Sequence, residues 1–168
     1  MDTSPGSPFD LRPRREPTQL QFDWVFPYAP VPAGRPLPTL RTLVELPGIG
    51  HRDLALTLDT GADLSLIDGG WATLTGFDPT RGARRLEPVR GVGGAAVAYV
   101  HILSCAIGPS DAPLRLPLEI GFTDPNAPPP PLNVLGRQSF LNSFAVALEN
   151  YLLPPRLYLA IRGRHARR

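Results

Sequence analysis

The chain has 168 residues with 17 basic and 15 acidic side chains, and every basic residue other than the three histidines is arginine. The absence of lysine excludes enzymes that need a lysine amine, among them the Schiff-base and pyridoxal-phosphate enzymes and the P-loop NTPases. A single cysteine, Cys105, excludes a disulfide framework or a cysteine-rich zinc site, and His51, His101 and His165 lack metal-ligand spacing, so no cofactor is expected.

The length suits one domain with a real core. Nine of the 22 prolines lie between Pro5 and Pro38, together with Arg12, Arg14 and Arg15, so residues 1–37 read as a flexible Pro/Arg-rich tail. Within it Phe22, Trp24, Phe26 and Tyr28 form an aromatic cluster expected to pack on the domain surface. The domain itself is assigned to residues 38–162 and a basic terminus to residues 163–168. Residues 1–10 hold no basic stretch leading into an apolar one, and no apolar run reaches membrane-spanning length; a cytoplasmic chain with no membrane partner is expected. The formal charge of +2 is too mild to argue for nucleic acid, which the arginines of the two termini alone would suggest.

From Leu40 onward the pattern is that of short strands, at residues 41–46, 54–58, 97–103 and 114–120. In the last of these Leu114, Leu116, Leu118 and Ile120 alternate with Arg115, Pro117 and Glu119, the period of a half-buried strand. Helix is scarce, with short turns expected only at 70–75 and 138–142, so the fold class is mainly β. Prolines 128–131 predict a stiff, extended connector.

Residues 56–58 form an apolar strand that ends at Asp59, followed at once by Thr60, Gly61, Ala62 and Asp63. A strand fixes a carboxylate on a rigid element, threonine can lock the turn, and glycine lets backbone N–H groups approach the carboxylate. Taken alone, these residues also describe an ordinary Asp-Thr-Gly turn. Further on stand Val134, Leu135, Gly136 and Arg137, before the strand-like residues 144–148. The two segments together resemble the aspartic proteases of the retropepsin clan. Asp59-Thr60-Gly61-Ala62 matches that clan's catalytic signature, and Val134-Leu135-Gly136-Arg137 matches its hydrophobic-hydrophobic-glycine element.

The resemblance implies a single-lobe closed β fold over roughly residues 40–161 with one or two short helices. It implies that Gly91, Val92, Gly93 and Gly94 are the tip of a flap hairpin, that Val134 to Arg137 lie under the catalytic loop, and that Asp63 pairs with Arg137. Gly91, Gly93 and Ala96 also fit the dinucleotide fingerprint G-x-G-x-x-[GA], with Asp111 about 20 residues on, but Val97, Tyr99 and Ile102 predict a strand where that fingerprint needs a helix. Cys105 and His101 read as strand residues rather than as a nucleophile and a base.

Peptide hydrolysis by carboxylates requires two of them in contact, and the chain holds one Asp-Thr-Gly. The expected solution is a homodimer in which Asp59 of each protomer meets its copy at a two-fold axis, with an extended peptide or protein as the substrate partner. Ala62, standing where some relatives have serine, implies activity reaching toward neutral pH. The bond between Phe26 and Pro27 resembles the aromatic-proline bonds some retropepsins cut, against the plainer reading of a linker dipeptide. A catalytically silent, dimeric peptide-binding module with the same fold is the alternative.

Overall fold

The computed structural model describes residues 22–28, 37–91, 94–108, 113–150 and 155–161. They form a mainly β structure of two sheets. The strands in chain order are β1 (Trp24–Pro27), β2 (Thr39–Leu46), β3 (Gly50–Leu58) and β4 (Ser65–Ile67), followed by the helix α1 (Gly69–Leu74). After it come β5 (Arg85–Gly91), β6 (Gly94–Ile107), β7 (Leu114–Thr123), β8 (Val134–Leu135), β9 (Phe144–Glu149) and β10 (Arg156–Ile161).

The larger sheet runs β2-β3-β8-β4-β7-β6-β5, and β2 also pairs with β6, so the sheet curls back on itself. The 14-residue β6 makes this closure possible: its first half pairs with β5, its last ten residues with β7, and its far end with β2 through Thr42↔Ile107 and Val44↔Cys105. Period-two alternation supplies the core. Leu40, Thr42, Val44 and Leu46 of β2 turn inward and meet Leu56, Ile67, Leu118, Ile120, Phe122, Leu135 and Phe140, all almost wholly excluded from solvent. The β2–β3 turn relies on Gly48 and Gly50, whose φ angles of 74° and 88° favour residues without a Cβ.

Helix α1 is fixed closely at its start. Asp68 caps it by accepting from Gly70 N at 2.9 Å, and a Cβ at Gly69 would lie 2.0 Å from the Thr123 carbonyl oxygen. The turn expected at 138–142 is present in shifted form, as a 3₁₀ turn over Leu141–Ser143. The connector of residues 124–131 has no regular structure and delivers the chain to Asn133. Residue Gly94 opens a strand, so the dinucleotide alternative has no helix to stand on.

The smaller sheet corrects the reading of residues 1–37 as a tail throughout. Trp24–Pro27 is a strand, antiparallel to β10, with Trp24↔Leu159 and Phe26↔Leu157 in register, and β10 pairs in turn with β9. Trp24 and Phe26 pack against the core, and Tyr28 is buried, its hydroxyl donating to Asn150 Oδ1 at 2.7 Å. The aromatics at 22, 24, 26 and 28 are therefore a strand period that the surrounding prolines disguise; Pro27 is tolerated because it ends an edge strand. The Phe26–Pro27 bond thus lies inside a paired strand and not in a linker. Residues 1–21, 29–36 and 163–168 lie outside the described residues, and no helix among the described ones is long and apolar enough to cross a membrane.

Candidate active site

Strand β3 ends at Leu58, and β8 lies parallel beside it, with Thr57↔Val134 and Leu58↔Leu135 in register. That pairing carries on into the loop: Thr57 N donates to the Asn133 carbonyl at 2.9 Å and Asp59 N to the Leu135 carbonyl at 3.0 Å. The backbone of Asp59 is thus held by β8 while its side chain emerges at the surface. Its Oδ1 accepts from Gly61 N at 2.8 Å, and Ala62 N donates back to the Asp59 carbonyl at 3.3 Å. A Cβ at Gly61 would stand 3.2 Å from that same Oδ1, so a larger residue two positions after the carboxylate would crowd it.

The floor of the loop is built by consecutive amides after β8. Arg137 N donates to the Ala62 carbonyl and Gln138 N to the Asp63 carbonyl, both at 2.9 Å. Gly136 is required for this approach, since a Cβ there would lie 2.5 Å from both the carbonyl carbon and the oxygen of Leu64. Arg137 Nη2 pairs with Asp63 Oδ1 across the loop, as the resemblance implied. Both side chains are more than half exposed, so the pair orients groups at the site edge and adds little stability. Asp59, Thr60, Gly61, Ala62, Asp63, Val134, Leu135, Gly136 and Arg137 are therefore brought into one unit.

Strands β5 and β6 form the expected hairpin, in register from Arg85↔Val100 to Gly91↔Gly94; Val92 and Gly93, the rest of the flap tip, lie outside the described residues. The hairpin base leans on the strand that leaves the Asp59 loop. Val89, Ala98 and Val100 cluster with Leu64 and Leu66, apart from the main core. Gly121 on β7 makes room for this, because a Cβ there would lie 2.6 Å from Leu64 Cδ2 and 2.9 Å from the Ala98 Cβ. Flap base and loop therefore share an apolar wall.

Four supporting residues were not legible as site residues in the sequence. Asn133 Oδ1 accepts from Asp68 N at 2.8 Å and ties β8 to the start of α1. Ser65 Oγ accepts from Gly136 N at 3.0 Å. Arg85 on the flap strand makes a two-point contact with Glu119 on β7, at 3.0 and 3.1 Å. None of the four belongs to a local motif; only the strand order brings them near the loop.

Cys105 is buried on β6 and its thiol is pushed up to about 12 by desolvation, which removes it as a nucleophile. His101 is buried too, its Nε2 donating to the Pro79 carbonyl at 2.8 Å, with its ring edge-on to Phe77 and Phe122. A depression of about 390 Å³ lined by Thr73, Gly76, Phe77, Asp78, Pro125 and Asn126 contains none of the candidate residues. Among the described residues no group of three or more His, Cys, Asp or Glu side chains is arranged to hold a metal.

In fold the chain resembles the retropepsin-like aspartic proteases. It is similar to a retropepsin-like aspartic protease from Rickettsia conorii, at 15% identity over 84% of this chain and 95% of that one, with a TM-score of 0.49. It is also similar to EIAV protease complexed with the inhibitor HBY-793, at 20% identity over 64% of this chain and 88% of that one, with a TM-score of 0.37. No protein-family model and no curated protein matches the chain.

Proposed function

We propose that the chain is an aspartic endopeptidase that acts as a homodimer on extended peptide segments. The observation that carries this is Asp59 itself: an exposed carboxylate at a strand end, its backbone fixed by Leu135 and one oxygen fixed by Gly61 N. One such loop supplies half of a carboxylate pair, and a two-fold axis beside Asp59 supplies the other half.

In the pair, one carboxylate is ionised and takes a proton from water as the water oxygen attacks the scissile carbonyl carbon. The other, protonated, gives its proton to the carbonyl oxygen. The resulting gem-diol collapses when the first carboxyl returns its proton to the leaving nitrogen, the C–N bond breaks, and the second carboxylate recovers its own proton. With Ala62 beside the loop the working range reaches toward neutral pH; a rate profile peaking below about pH 4 contradicts this.

The smaller sheet supports a docking edge for the second copy. Its β1 edge is four residues long and ends in Pro27, whereas β9, Phe144–Glu149, is six residues without proline or a basic side chain. An edge of that kind is open to pairing with another strand. Substrate would lie between the paired loops and the flaps, against the apolar wall of Leu64, Leu66 and Val89.

The test is hydrolysis of a peptide library by wild type and Asp59→Asn, over a protein concentration series and with a pepstatin-type inhibitor. Turnover per protomer should rise with concentration in step with the dimer mass, and vanish in Asp59→Asn. Equal signals from the two proteins would sink the proposal and leave the silent peptide-binding module.

A further inference from the structure

Ser65 begins β4 in full burial, and its Oγ lies 3.2 Å from Ser139 Oγ while accepting from Gly136 N at 3.0 Å. Ser139 Oγ in turn donates to the Glu119 backbone carbonyl at 2.9 Å. A hydroxyl has one proton to give. That of Ser139 is committed to a carbonyl, which can only accept, so Ser65 must be the donor between the two serines. Three hydrogen bonds therefore run in one sense, from the Gly136 N–H through both hydroxyls to the Glu119 C=O. Such a chain strengthens cooperatively, and removing one link leaves its buried neighbours short of a partner.

Both ends of the chain reach the candidate site. At one end Gly136 lies between Leu135, whose carbonyl holds Asp59 N, and Arg137, whose N–H holds the Ala62 carbonyl. At the other end the Glu119 carboxylate grips Arg85 of the flap strand at 3.0 and 3.1 Å, and Arg85 Nε also reaches Glu87 Oε2 at 3.0 Å. Glu119 thus uses its carbonyl on the loop side and its carboxylate on the flap side.

We infer that Ser65 and Ser139 are positioning residues for the Asp59 loop, acting through Gly136, and that Glu119 ties this floor to the base of the flap. The inference rests on the aspartic protease reading for its effect on turnover, but the relay itself can be read without activity. Ser139 is only half-buried, so Ser139→Ala is the variant of choice.

Two measurements on folded protein decide it. Exchange of the Gly136 amide with solvent should accelerate in Ser139→Ala, while amides of the β2–β3 hairpin are unchanged. In the active enzyme kcat should fall roughly tenfold with KM held within about twofold, because misplaced catalytic groups cost turnover rather than binding. Ser139→Thr, which keeps the hydroxyl, should restore both. Unchanged Gly136 exchange in folded Ser139→Ala overturns the relay, and faster exchange with unaltered kcat overturns the positioning role. An inactive wild type whose Gly136 amide still depends on Ser139 supports the relay and overturns the protease reading instead. If Ser139→Ala does not fold, Ser139→Cys, with its weaker donor, carries the same two measurements.

Discussion

Within the candidate site Gly136 is the residue whose geometry is least negotiable. The space a Cβ would occupy is taken by the backbone of Leu64 and Ser65, at 2.5 to 2.9 Å, and backbone cannot rotate away as a side chain can. Gly136→Ala should therefore push β8 from the loop and destabilise the fold by about 2 kcal/mol or more, in the range of overpacked cores. Denaturant unfolding measures this, and a variant within about 0.5 kcal/mol of wild type, the scatter of ordinary surface substitutions, would refute the close approach. Gly61 is a milder case, since its Cβ would meet only the Asp59 side chain, at 3.2 Å. The contrast explains what the sequence made legible at this scale. Asp-Thr-Gly-Ala and Val-Leu-Gly-Arg stand out because backbone sterics restrict which residues fit. Ser65, Ser139 and Asn133 act through hydroxyl and amide groups that almost any serine or asparagine carries, so only their placement by the strands gives them a role.

At the scale of elements, the flap hairpin and β7 are joined by charge as well as by backbone pairing. The hydrogen bond from Arg85, reinforced by its positive charge, holds the Glu119 carboxyl below the usual carboxylate range. A carboxyl whose folded pKa is lowered stabilises the fold fully above the unfolded value and loses that contribution as pH falls through the folded one. The melting temperatures of wild type and Glu119→Gln should therefore differ above about pH 5 and converge as pH drops below about 4. Melting curves across that range check it, and a gap that widens on acidification would contradict the assigned partner. Both side chains are about a third exposed, so the effect is modest and shrinks with added salt. The strands themselves were largely legible: alternation located β7 from Leu114 onward, and β2, β3 and β6 fell where apolar runs predicted them, though each proved longer than its apolar stretch. Their ends were not, because β6 from residue 104 to Ile107 is held by pairing with β2 and β7 and not by local pattern.

The whole molecule depends on a strand that lies outside the boundary drawn from proline content. β1 covers one edge of β10, and Tyr28, just beyond it, is buried with its hydroxyl on Asn150. Proline density was a fair guide to where regular structure is hard to build, but a four-residue edge strand needs few free N–H groups, and three alternate aromatics at 24, 26 and 28 outweigh the penalty. A protein beginning at residue 38 therefore lacks part of its core. It loses burial of Tyr28 and partial burial of Trp24 and Phe26, a loss on the order of 4 kcal/mol. It also leaves β10 as a second bare edge, over Leu157 and Leu159, which are fully buried when β1 is in place. Without β1 the described strands of this sheet present two edges and pair without discrimination, whereas β1 caps one of them and leaves, among the described strands, the β9 edge for a two-fold partner. Chains starting at residue 22 and at residue 38 should then differ in kind: the first forms a closed dimer whose mass stops at two protomers, and the second melts lower and grows into larger species with rising concentration. Sedimentation of the two across the same concentration range distinguishes them, and equal stability with the same closed dimer in both would show that β1 is dispensable.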